Sequence, residues 1–262
     1  MKHKVISKIL LLILVFTVSA AIAKGAAPAP KFKALVLTER GGNHEGFVVA
    51  ALEWLNAFAL KNNFEIKVIN DAKDFDEAYL SNYQVFIQLN FPPYTWSDKS
   101  QAAFTKFIEE GRIGWVGFHH ATLLGEFDGY PMWPWFSNFM GGIRFKTYIA
   151  DRASGTVHIE DKKHPVMKGL PSSFVIPDDE WYTFDKNPRP NVKVLANVDE
   201  SSYTPPSDIK MGDHPVIWSN EKMKARNVYF LMGHHANLLK SEEFKMMFGN
   251  AILWAAANKY KK

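Results

Sequence analysis

Three short apolar runs in this chain each end in a loop that carries histidine, and this constrains the fold more than any other feature. The runs are 33–38 (KALVLT), 113–118 (IGWVGF) and 227–232 (NVYFLM). They lead to His44, to His119-His120 and to His234-His235. Apolar runs this short, without polar alternation, suit strands buried on both faces. Segments 65–70 (EIKVIN) and 84–90 (QVFIQLN) add two more strands. Helical stripes fall between them. Phe47, Ala51, Trp54, Leu55 and Phe58 share one face of a helix over 47–60. Ser97 caps a second helix that ends at Gly111 and buries Phe104, Phe107 and Ile108. Ser241 caps a third, with Phe244, Met247, Phe248, Ala251 and Trp254 inward. Strand, helix, strand, strand, helix, strand predicts an α/β fold with a doubly wound, mostly parallel sheet. Residues 132–140 (MWPWFSNFM) read as a short, Pro-interrupted helix. Between 142 and 220, short strand candidates such as 156–159 and 192–195 alternate with prolines. They predict an inserted, strand-rich lobe with antiparallel strands, within one domain spanning 32–262.

The N-terminus carries its own signal. Lys2, Lys4 and Lys8 precede or flank an apolar run over 9–18, and Ala21-Ile22-Ala23 supplies a small-x-small cleavage site. Residues 1–23 read as a secretory signal peptide; an uncleaved anchor would need a longer apolar run. Residues 24–31, with the segment GAAPAP, read as a flexible tether. The expectation is a secreted protein, periplasmic in a host with two membranes, with no membrane anchor after cleavage. The formal charge of +4 depends on this leader: without its three lysines, the 31 Lys and Arg nearly balance the 27 Asp and Glu. A near-neutral mature chain has no electrostatic footprint for nucleic acid or an anionic membrane. Cysteine is absent, which excludes disulfides, thiolate metal sites, lipoprotein attachment and a cysteine nucleophile.

Open α/β sheets bind ligands beyond the carboxyl ends of their strands. Parallel strands would bring the three histidine loops to one such edge. Imidazole serves as base, acid or metal ligand near neutral pH. His44, His119 and His234 are the candidate ligands for a divalent metal ion, which needs no cysteine. His119 and His234 are equally the candidate catalytic acid/base pair. The spacing matches no closed motif such as HExxH, and each His-His pair also reads as one buried, hydrogen-bonded ring beside an exposed one. Gly41-Gly42-Asn43 lacks a phosphate-loop pattern and reads as a tight strand-to-helix turn, with Asn43 a candidate substrate contact. Asp178-Asp179-Glu180-Trp181-Tyr182 joins carboxylates to aromatics, as a sugar site requires; it reads equally as an acidic turn before a strand with a buried Trp. Candidate substrate contacts are thus Asn43, His44, His120, Glu180, Tyr182 and His235. Trp133, Trp135 and Phe136 read as packing. His164-Pro165 and His214-Pro215 read as turn-to-strand junctions. No GxSxG elbow is present. In the elbow-like segment Gly117-Phe118-His119-His120-Ala121, histidine stands where a nucleophile would, able to bind metal or move protons.

Five segments taken in order carry a family resemblance. They are Thr38-Glu39-Arg40-Gly41-Gly42-Asn43-His44, Gly117-Phe118-His119-His120-Ala121-Thr122, His164-Pro165-Val166 with Gly169-Leu170-Pro171, Asp179-Glu180-Trp181-Tyr182, and Tyr229-Phe230-Leu231-Met232-Gly233-His234. The chain resembles the ThuA-like (trehalose-utilisation) family of the class I glutamine amidotransferase-like superfamily, from about Lys33 to Ala257. The resemblance implies a flavodoxin-like sheet with helices on both faces. In that superfamily the elbow carries a catalytic cysteine and a histidine follows a late strand. Here His119 replaces the cysteine and His234 takes the late position, so glutamine hydrolysis through a thioester is excluded. The family's association with sugar catabolism, often beside oxidoreductases that make 3-keto sugars, implies a small-molecule carbohydrate partner. It implies action on a disaccharide, glycoside or 3-keto-glycoside, as hydrolase, lyase or isomerase, by histidine acid/base or metal-assisted chemistry. The C–H beside a 3-keto group is acidified, so a histidine base could start elimination of the glycosidic oxygen. The alternative is a non-catalytic sugar-binding protein on a degenerate amidotransferase scaffold. The cofactor is unassigned, with a divalent metal ion as the candidate, and a homo-oligomer is open. An ordinary glycosidase needs two facing carboxylates, for which Glu180, Asp179 and Glu45 are the candidates.

Overall fold

The computed structural model describes residues 29–73, 75–149 and 151–257. The expected signal peptide and residues 24–28 of the expected tether lie outside them. Within the tether's remainder, the Lys31 amide donates to the Asn63 carbonyl at 2.8 Å, and Asn63 Nδ2 donates to the Ala29 carbonyl at 2.9 Å. Among the described residues no helix is long and apolar enough to cross a membrane.

The apolar runs form the parallel half of a nine-stranded sheet. β1 (Lys33–Thr38) lies between β2 (Glu65–Ile69) and β3 (Val85–Leu89); β4 (Gly114–Phe118) pairs with β3 and with β11 (Asn227–Phe230). Every residue of β3, β4 and β11 is buried, which is why these strands read as mainly apolar runs, with Gln88 and Asn227 the buried polar exceptions. β2 is the edge of this parallel half and, of its five strands, alone carries two charges, Glu65 and Lys67.

Helices cover both faces, and the alternation along β4 sorts them. Phe118 packs on Phe244 and Phe248 of α5 (Glu242–Ala256) and on Phe47 of α1 (Glu45–Asn62). Trp115, odd-numbered, points the other way, onto Phe136 and Phe139 of α4 (Pro134–Phe139). There α4 meets α3 (Asp98–Glu110) through Phe104 and Phe136. Trp133 packs on Trp96 and Phe104, so the aromatic cluster near 133–136 is core. The short α2 (Glu77–Leu80), capped by Asp76, packs on α3 and was not legible in the apolar pattern.

The strand-rich insertion continues the same sheet. Beyond β11 come β10 (Pro215–Ser219), β9 (Lys193–Thr204), β6 (Ala153–Ile159) and β7 (Ser173–Asp179), all antiparallel. β5 (Phe145–Tyr148) and β8 (Tyr182–Phe184) form a separate two-stranded ribbon. The link from β7 to β8, residues 180–181, brings the acidic segment back over the carboxyl ends of the parallel strands.

Candidate metal centre

Each strand end delivers its histidine for a local reason. After β1, Gly41 and Gly42 at φ 80° and 68° turn the chain, with no atom within 4 Å of where a Cβ would stand. The turn closes in a short 3-10 segment, Gly42–His44, that buries His44 at the head of α1. After β4, His119 adopts φ 41°, a left-handed conformation unusual for a non-glycine residue. Its carbonyl accepts from the Tyr229 hydroxyl at 2.9 Å, which itself lies 2.6 Å from Thr122 Oγ1. After β11, the loop is clamped twice. Asn90 Nδ2 donates to the Gly233 carbonyl at 2.6 Å, and the buried Asp179 carboxylate accepts from the amides of Gly233 at 3.0 Å and His234 at 2.9 Å.

His44, His119, His234 and Glu180 each offer a ligand atom, and the four atoms all lie within 4.8 Å of one another. His44 Nε2 is 3.0 Å from His234 Nδ1; Glu180 Oε2 is 3.3 Å from His234 Nδ1 and 3.3 Å from His119 Nε2. Ligands about 2.1 Å from a zinc-like ion lie roughly 3.0–3.4 Å apart along the edges of an octahedron or tetrahedron. Three imidazoles and a carboxylate suit zinc, iron or nickel.

The protonation pattern fits a cation. His119 Nδ1 faces the Leu231 carbonyl at 2.9 Å and must donate to it. Complete burial pushes the His119 ring down to about 3, so it is neutral and its Nε2 is a bare lone pair. That atom is buried with no hydrogen-bond partner. Burial opposes ionisation of Glu180, and the bare Nε2 of His119 offers it neither a proton nor a charge. His119 cannot supply the positive charge such a carboxylate requires. The 3.3 Å approach is therefore two acceptors face to face, which a cation between them turns into coordination.

Beside this group lies Glu39, to which sequence reasoning assigned no role. Its Oε2 is 2.8 Å from His120 Nδ1 and 3.4 Å from His44 Nδ1. Burial raises its carboxyl, but His120 and His44 outweigh that and hold it at about 2. Glu39 is the residue after β1, so the strand-end rule that found the histidines also reaches it. Asp179 was missed as the clamp of the His234 loop, because nothing local marks a carboxylate as an acceptor for amides 54 and 55 residues away.

The remaining candidates take distinct places. Asn43 lines a cavity of about 580 Å³ with Asp151, Arg152, Asp178, Glu180 and His234. Tyr182 is buried and lays its ring 4.1 Å from that of His119, supporting it from behind. His235 lies outside the cluster: its Nδ1 accepts from the Asn237 amide and sits 3.3 Å from Asp178. His164 caps the turn over Pro165–Met167, and His214 is buried between Glu200 and the Tyr182 carbonyl. The acidic segment is neither a solvated turn nor a sugar platform alone. Asp178 sits at the cavity, Asp179 clamps a loop, Glu180 joins the histidines and Trp181 is buried. Glu45 accepts from the Gly41 amide, so none of the three candidate carboxylates faces another across an open cleft.

A parallel sheet flanked by helices, with His119 in the loop after β4 and His234 in the loop after β11, has the fold of class I glutamine amidotransferase-type domains. The glutaminase domain of CTPS from Trypanosoma brucei shares that fold at 10% identity and a TM-score of 0.51, over 87% of this chain and 94% of that one. The family described as ThuA, trehalose utilisation, matches residues 33–255, and the chain belongs to it. A ThuA-like protein of Bacteroides uniformis is 30% identical with a TM-score of 0.79, covering 90% of this chain and 96% of that one. One from Parabacteroides merdae is 18% identical with a TM-score of 0.66, over 88% and 91%. No curated protein sequence matches the chain.

Proposed function

We propose that this ThuA-family protein is a metal-dependent enzyme of sugar utilisation that acts on a disaccharide, glycoside or 3-keto-glycoside. One observation carries the reading: the buried, unpartnered Nε2 of His119 faces the Glu180 carboxylate within a ring of ligand atoms from His44 and His234. A divalent cation there supplies Lewis acidity to a substrate oxygen. The protein's own groups bind and orient. Asn43 and Arg152 offer donors and Asp151 and Asp178 acceptors to sugar hydroxyls, and the half-exposed Tyr148 ring offers a face to a pyranose. A 3-keto-glycoside suits such a centre, because its ketone oxygen is a better Lewis base than an ether oxygen and its neighbouring C–H is acidic.

The test is metal content of protein prepared without a histidine tag or chelator, followed by assay for aglycone release from 3-keto-glycosides. Near-stoichiometric metal is expected in the parent. His119→Asn and Glu180→Gln are expected to lose at least ~10-fold in metal affinity, with turnover falling in step. No metal in the parent even after divalent ions are added would overturn the reading. Sugar binding without turnover would then favour a non-catalytic role.

A further inference from the structure

We infer that a second cation site adjoins the first, formed by Glu39, His120 and His44, with His44 shared between the two as an imidazolate whose N–H proton is released to solvent on metal binding. This rests on the reading above, since the first site supplies one side of the shared ring. His44 presents opposite nitrogens to the two groups: Nε2 lies 3.0 Å from His234 Nδ1, and Nδ1 lies 3.4 Å from Glu39 Oε2. Glu39, His44 and His120 form their own set, with ligand atoms within 4.8 Å of one another.

Three observations favour an ion over a hydrogen-bonded pair. Glu39 Oε2 and His120 Nδ1 are 2.8 Å apart, yet both are buried and neither has a hydrogen-bond partner. They are close enough to bond and misaligned for it, as two ligands of one ion would be. Next, the His44 and His120 rings meet edge to face with centroids 4.0 Å apart, and their ligand atoms lie within 4.8 Å of each other and of the Glu39 carboxylate. Last, among the described residues neither Glu39 nor Glu180 is paired with lysine or arginine; each carboxylate has only histidines beside it. Two largely enclosed carboxylates without a lysine or arginine beside them match one anionic ligand for each of two cation sites. The pair of ions would sit at the carboxyl ends of β1 and β4, where open α/β sheets bind their ligands.

The test counts ions and asks whether they interact. Parent protein stripped with chelator is titrated with zinc, and bound metal is measured after gel filtration; two equivalents are expected. Glu39→Gln and His120→Asn are each expected to retain one. Two positions are used so that a folding failure in one, seen by circular dichroism, leaves the other decisive. Copper(II) loading supplies the second readout. Two ions on one imidazolate couple magnetically, so the electron paramagnetic resonance signal of the parent should be weaker than two isolated ions give, and restored to one full isolated ion in His120→Asn. One equivalent in the parent, unchanged by Glu39→Gln, overturns the second site and leaves the first standing. Two equivalents with uncoupled spectra overturn the sharing of His44. No bound metal overturns the first site as well.

Discussion

Gly233 shows how closely the centre depends on single atoms. It adopts φ 156°, and a Cβ there would lie 2.9 Å from Asn90 Oδ1 and 2.9 Å from the Cβ of His119. Neither neighbour is free to retreat: Asn90 holds the Gly233 carbonyl, and His119 is fixed by Tyr229 and Leu231. Gly233→Ala should therefore cost about 1–3 kcal/mol of stability. It should also weaken metal binding by ~10-fold or more, because it moves His234 against its neighbours. Thermal unfolding and metal titration read the two effects separately; unchanged metal affinity would show that His234 does not depend on this packing. At this scale the sequence was informative where a residue type stood at a strand end. The histidines at 44, 119 and 234 were legible because imidazole is scarce and the strands before them were plain. Glu39 and Asp179 were not, because a carboxylate at a turn is common and its partners here come from distant segments. The split roles of Asp178, Asp179 and Glu180 depend on which side of the chain each faces, and Asp178 at φ 46° breaks the strand alternation that would have foretold it.

Elements were most legible where burial is two-sided. β1, β3, β4 and β11 announced themselves as apolar runs, and α3 and α5 by their Ser97 and Ser241 caps. β9 and β6 alternate buried and exposed residues, so their existence could be read but not their place in the sheet, which is set by pairing across 37 to 50 residues. The 3-10 turn at Pro165–Met167 is a smaller case with a measurable consequence. His164 caps it, its Nδ1 accepting from the Val166 amide at 3.3 Å, while its ring packs against Trp254 at 4.6 Å. The cap needs the neutral ring. Burial, aided by Lys193 and Arg226 and opposed by Asp161, lowers His164 from 6.5 to about 4. The folded pKa lies below the unfolded one, so between them the unfolded chain binds more protons. The stability this residue contributes is thus present above pH 6.5 and lost as pH falls toward 4. Asn caps without titrating. His164→Asn should flatten the fall of Tm between pH 6.5 and 4 relative to the parent, whereas His164→Ala should cost about 0.5–2 kcal/mol at pH 7. Parallel Tm curves for the parent and the Asn variant would exclude His164 as the titrating cap.

The whole molecule is held together at the edge where the chemistry lies. The four ligands of the first site come from the ends of β1, β4 and β11 and from the link after β7, at the far margin of the nine-stranded sheet. Glu180 thus joins the antiparallel extension to the parallel half. The unfolded chain has no such constellation, so metal binding should be linked to folding of the domain as a whole. An ion at 100 times its Kd adds about 2.7 kcal/mol, which for a chain of this size raises Tm by roughly 5–10 °C. Chelator should lower the parent's Tm by that amount, and Glu180→Gln, binding ~10-fold more weakly, should cut the response to about half or less. The metal-free comparison is sharper. In the stripped parent, the Glu180 carboxylate faces the bare Nε2 of His119 at 3.3 Å. Glutamine would present an amide N–H at the same place, making a hydrogen bond where there was repulsion. Stripped Glu180→Gln should therefore melt at or above the stripped parent, although it melts below the metal-loaded one. If the stripped variant instead melts several degrees lower, His119 and Glu180 already share a proton, and the case for an ion between them fails.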